Sequence, residues 1–135
     1  MNVLPSRRNA VAEDKEPSAP SPPPSAHAAA PSKCLSGRCY VVTGAAQGVG
    51  EAVAQALAAA GAAGVTLVDV NAAKGEAVRA SLAAAYGASL RAVFVEADLS
   101  SADACARAVA EHAAAFGGKC DGLVNCAATC ARAGW

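Results

Sequence analysis

The chain has 135 residues, enough for one domain, and alanine supplies more than half of its 54% hydrophobic fraction. Eleven basic residues offset eleven acidic ones with no long block of either sign, which argues against nucleic-acid binding through a basic surface. The sequence contains no run of 18 apolar residues that could span a membrane, and the first thirty residues lack the apolar stretch of a secretory signal.

All seven prolines fall between Pro5 and Pro31. Residues 1–33 carry no periodic apolar pattern and cannot bury enough surface to offset their ordering entropy, so a disordered Pro/Ala/Ser-rich leader is expected. Arg7, Arg8 and scattered serines suit an organelle transit peptide, for a mitochondrion or plastid, whereas Glu13, Asp14 and Glu16 oppose it. A cytoplasmic location is the default expectation.

From Cys34 onward strands and helices alternate. Cys39 to Thr43 is a short apolar run ended by Gly44, which predicts a buried strand. An alanine-rich helix follows from Val49 to Ala60 and closes at Gly61. Val65 to Val70 predicts a second buried strand, and Ala72 to about Tyr86 a helix with Gly87 past its end. Leu90 to Glu96 is a third strand, and Ser100 or Ser101 can cap a helix running to Phe116. Gly122 to Asn125 begins a fourth strand ten residues before the last residue.

This alternation predicts an α/β fold with a parallel sheet and helices on both faces. Right-handed crossovers give the strand order 3-2-1-4, an incomplete Rossmann-type doubly wound sheet over residues 34–135. The fourth strand then forms an open edge, through which the chain could self-associate.

Six cysteines (Cys34, Cys39, Cys105, Cys120, Cys126 and Cys130) form no C-x-x-C pair and no zinc spacing with His27 or His112. They read as free thiols, and no metal site is expected.

The most informative stretch is Thr43-Gly44-Ala45-Ala46-Gln47-Gly48-Val49-Gly50, placed between the first strand and the first helix. Gly44 permits a tight turn, Gly48 lets backbone approach a pyrophosphate, and Gly50 allows close packing of the helix. The helix N-terminus would offer its free N–H groups to phosphate. Asp69 ends the second strand nineteen residues after Gly50, where a nucleotide fold places a carboxylate on the adenosine ribose. Asp69 could alternatively initiate the turn into the second helix.

The T-G-x-x-x-G-x-G spacing, with Asp69, Ala97-Asp98-Leu99 and Asp121-Gly-Leu-Val-Asn125-Cys126-Ala127-Ala128, resembles the short-chain dehydrogenase/reductase family over about residues 37–128. The resemblance implies hydride transfer between a nicotinamide dinucleotide and a small alcohol/carbonyl substrate. It also implies cofactor contacts from Thr43, Gly44, Gln47, Gly48, Val49, Gly50, Asp69, Asp98, Leu99, Asn125 and Ala127. For Asp98 a surface turn or helix cap is the alternative. Asp69 would disfavour a 2′-phosphate, and Gln47 stands where NADP-preferring relatives often carry a basic residue, so NAD is expected over NADP.

Two positions depart from the family's fourth-strand pattern N-N-A-G: Cys126 replaces the second Asn and Ala128 the Gly. The family's Ser and Tyr-x-x-x-Lys pair lie beyond its fourth strand. Neither Tyr40 nor Tyr86 is followed by Lys four residues later, so no catalytic residue is assigned. The expected reading is the cofactor-binding amino-terminal part of an oxidoreductase, truncated and inactive as written. A non-catalytic nucleotide-binding or interaction module, or a defective product with an altered tail, are the alternatives.

Overall fold

The computed structural model describes residues 33–129. The expected leader, apart from Lys33, and the tail from Cys130 lie outside the described residues. Four strands, β1 (Cys39–Thr43), β2 (Gly64–Asp69), β3 (Arg91–Glu96) and β4 (Gly122–Asn125), alternate with three helices, α1 (Gly48–Ala59), α2 (Ala72–Tyr86) and α3 (Ala102–Phe116). The strands pair in parallel in the order β3-β2-β1-β4. The order agrees with the sequence expectation, and element ends differ from it by at most one residue.

Strands β1 and β2 are buried along nearly their whole length, as their continuous valine-rich runs require when helices cover both faces. On one face Tyr40, Val42, Val65 and Leu67 pack against Ala54 and Ala58 of α1 and Val78 and Leu82 of α2. On the other, Val41, Val68 and Val95 meet Ala108 of α3. Alanine at the buried positions of α1 lets that helix sit close to the sheet, which is how an alanine-rich chain still excludes water from its core.

The helix boundaries have local causes. Asn71 caps α2, its side-chain oxygen accepting from the Lys74 N–H at 3.0 Å, and Ser101 rather than Ser100 caps α3. Gly117, in the left-handed conformation, closes α3. Gly75 faces Phe94 of β3 so closely that a Cβ would lie 2.0 Å from the ring. The glycine therefore seats α2 on the sheet.

His112, set aside in the sequence as a ligand, is buried and fully bonded. Its Nε2 donates to the Lys119 carbonyl at 3.0 Å, and its Nδ1 shares a hydrogen bond with the Thr66 hydroxyl at 2.7 Å. The ring ties α3 to β2 and to the segment entering β4. No helix among the described residues is long and apolar enough to cross a membrane.

Candidate functional site

Parallel pairing brings the carboxyl ends of all four strands to one edge. Thr43 lies level with Val68 and Asn125, and Asp69 with Glu96. Helix α1, which follows β1, and α3, which precedes β4, pack on opposite faces of the sheet, and a crevice opens at the β1–β4 boundary where strand order reverses. A cleft of about 590 Å³ occupies it, lined by Gly44, Gln47, Gly48, Val68–Val70, Ala97–Ser100 and 126–129. That volume falls in the usual range of small-molecule sites.

The floor is built around the Thr43 hydroxyl. Buried between β1 and β4, it accepts from the backbone N–H groups of Cys126 (3.1 Å) and Ala127 (3.2 Å) and donates to Asn125 Oδ1 at 3.4 Å. Gly44 follows with φ +64°, and a Cβ there would lie 2.7 Å from the Ala127 nitrogen. The chain leaving β4 thus presses directly on the turn leaving β1, which only glycine accommodates.

Gly50 is packed in the same way: its Cβ would lie 2.1 Å from the Gly44 carbonyl oxygen. The close approach expected at Gly50 is between helix and turn. Gly48 differs. It is exposed, has φ +59°, and a Cβ there would meet nothing within 4 Å. Gln47 supplies no side-chain cap to the opening N–H groups of α1. An exposed helix start with an unobstructed backbone suits a phosphate group.

Asp69 forms the opposite wall and has two roles. Its Oδ2 accepts from the Ala46 N–H at 3.0 Å and its Oδ1 from the Asn71 N–H at 2.9 Å. The two alternatives left by the sequence are therefore compatible, since a carboxylate has lone pairs beyond those two bonds. The Lys74 ammonium reaches across the same rim to Gln47 Oε1 at 2.6 Å.

Asp98 sits on the rim after β3, fully exposed, with Oδ1 accepting from the Ser100 N–H at 3.0 Å. Hydrogen bonding from Ser100 holds its carboxyl below the usual carboxylate range, so it is ionised at neutral pH. Leu99 also lines the cleft.

Of the expected site residues, the cleft brings together Gly44, Gln47, Gly48, Asp69, Asp98, Leu99 and Ala127. Thr43, Gly50 and Asn125 lie behind its surface as supports. Val49, between Gly48 and Gly50, does not line the cleft, and its side chain is 72% exposed. Sequence reading missed Val68, Val70, Ser100 and Thr129. Val68 and Val70 flank Asp69, and that adjacency was the available signal. Cys126 and Ala128, noted as departures from the family pattern, also line the cleft.

Residues 38–134 match the short chain dehydrogenase family. The structure of a dehydrogenase/reductase from Sinorhizobium meliloti 1021 is 43% identical, with a TM-score of 0.63, over 71% of this chain and 36% of that one. The L-sorbose reductase of Gluconobacter frateurii, solved with NADPH and L-sorbose, is 30% identical with a TM-score of 0.67, over 74% of this chain and 36% of its own. A short-chain type dehydrogenase/reductase from Mycobacterium ulcerans is 31% identical with a TM-score of 0.64, over 72% and 34%. No curated protein matches the chain. It spans about a third of the length of these solved structures. With the strand order, the glycine turn and the matched residues in agreement, the chain belongs to the short-chain dehydrogenase family of oxidoreductases.

Proposed function

We propose that the cleft binds the adenosine half of a nicotinamide dinucleotide and prefers NAD to NADP. The observation that carries this reading is the pairing of an open, uncapped α1 start at Gly48 with the Asp69 carboxylate on the facing wall. The first suits the pyrophosphate and the second the ribose hydroxyls. Val70, 63% exposed on the same wall, and Leu99 supply apolar surface for the adenine, and Asp98 a hydrogen-bond acceptor at its edge. The L-sorbose reductase to which this chain is similar was solved with NADPH, which supports the cofactor class.

The preference rests on charge. A 2′-phosphate about 4 Å from Asp69 meets a repulsion of roughly 4 kcal/mol per unit charge at an effective dielectric of ~20. Solvent and the two backbone N–H groups already on Asp69 reduce that figure. A tenfold preference needs only about 1.4 kcal/mol.

When bound, the cofactor supplies the ring that exchanges hydride with an alcohol/carbonyl pair, the reaction class of the family. These 135 residues contain no Tyr-x-x-x-Lys sequence. Turnover needs a proton donor or acceptor at the substrate oxygen, so the chain alone is expected to bind cofactor without oxidising alcohols. The test is NADH absorbance with purified chain, NAD and a panel of small alcohols. Turnover that disappears in Gly48→Trp would overturn this part of the reading.

Among the described residues β4 pairs only with β1, and Leu123 on it is 58% exposed. That edge supports self-association of the isolated chain, which light scattering over a concentration series would detect.

A further inference from the structure

We infer that Lys74 is a second determinant of cofactor choice, one that offsets Asp69 and narrows the discrimination against NADP. The inference rests on the cofactor reading above and extends it to a residue no motif contains. Lys74 lies in the first turn of α2, outside the glycine turn and five residues beyond Asp69.

The structure closes a ring of hydrogen bonds around this rim. Asp69 accepts from Ala46 on one side and Asn71 on the other. Asn71 accepts in turn from the Lys74 N–H, and the Lys74 ammonium donates to Gln47, next in the chain to Ala46. The glycine turn and the start of α2 are therefore laced together with Asp69 at one corner and a cation at the other. Gln47 and Asp69 both line the cleft. The start of α2 adds the positive end of a 15-residue helix on the same side.

A ribose held by Asp69 alone would see one negative charge. Within this ring, a phosphate carried on that ribose also meets an ammonium that needs only to exchange a neutral amide partner for an anionic one. Charge-assisted bonds to phosphate are stronger than bonds to an amide oxygen. Lys74 is exposed and its contribution is screened by salt, so it moderates the preference set by Asp69 without reversing it.

The test is calorimetric titration of the full chain and its Lys74→Ala and Lys74→Arg variants with NAD and NADP at low and high salt. Lys74→Ala is expected to weaken NADP about tenfold and leave NAD within about twofold, so the NAD preference widens. Lys74→Arg keeps the wild-type ratio. The extra salt dependence of NADP over NAD shrinks in Lys74→Ala and persists in Lys74→Arg. Thermal midpoints establish that each variant is folded. NAD binding with an unchanged NAD/NADP ratio in Lys74→Ala, or equal weakening of both, overturns the role of Lys74 and leaves the cofactor reading intact. Failure of the wild-type chain to bind either cofactor overturns both.

Discussion

One oxygen of the Asp69 carboxylate accepts the backbone N–H of Ala46 at 3.0 Å, so the acid ending β2 also fixes the glycine turn that leaves β1. Stability and cofactor choice are thereby joined at one side chain. Asp69→Ala removes the acceptor for Ala46 and for Asn71 and should cost about 1–3 kcal/mol. Asp69→Asn keeps one acceptor oxygen and removes the charge. Thermal denaturation should rank wild type above Asn and Asn above Ala, and titration should show a narrowed NAD/NADP gap in Asp69→Asn.

The two glycines of the turn should respond differently to alanine. Gly50→Ala drives a methyl group against the Gly44 carbonyl, a backbone atom that cannot swing aside. It should cost about 3 kcal/mol, the upper end for overpacking. Gly48→Ala meets open space and carries only the cost of a left-handed residue, about 1–2 kcal/mol. Its methyl group stands in the cleft, however. Chemical denaturation should find Gly50→Ala the less stable variant, while Gly48→Ala retains its fold and loses cofactor affinity.

Thr43 offers a nearly isosteric test of the floor. Thr43→Val keeps the shape and deletes the hydroxyl that accepts from Cys126 and Ala127 and donates to Asn125. Two N–H groups lose their acceptor, which should cost roughly 1–3 kcal/mol and weaken cofactor binding. Thr43→Ser should recover most of both. Equal stability of all three chains would remove the hydroxyl from the account.

Thiol reactivity reports on the packing of β1. Burial pushes the Cys39 thiol above its ordinary value, whereas Cys34 and Cys120 are exposed. The thiolate is the reacting form, so Cys39 should be alkylated more slowly than those two at pH 8, with the gap closing as pH rises or denaturant is added. Mass-spectrometric mapping of the labelled peptides measures it. Cys39 labelled as fast as Cys34 would mean that β1 opens.

Much of this was legible in the sequence because it depends on local spacing. The run Cys39–Thr43, the glycines at 44, 48 and 50, and the acid ending the second apolar run specify a strand, a turn and a wall without knowledge of tertiary contacts. Strand order followed from the handedness of crossovers. What could not be read depends on residues far apart in the chain. Nothing near Thr43 indicates that its hydroxyl serves two amides more than eighty residues away. Nothing near His112 reveals Thr66 as its partner, and the Lys74–Gln47 contact requires the folded rim.

The central claim is that this cleft holds a nicotinamide dinucleotide through the Gly48 turn and Asp69. Isothermal titration of the full chain with NAD, repeated on Gly48→Ala and Asp69→Asn after their thermal midpoints are known, tests it most directly. The account predicts saturable one-site binding by the wild type, tighter for NAD than for NADP. It also predicts weakening of NAD by about tenfold or more in folded Gly48→Ala, and a narrowed NAD/NADP gap in Asp69→Asn. No NAD binding by the folded wild type, or binding unmoved by both substitutions, would contradict it.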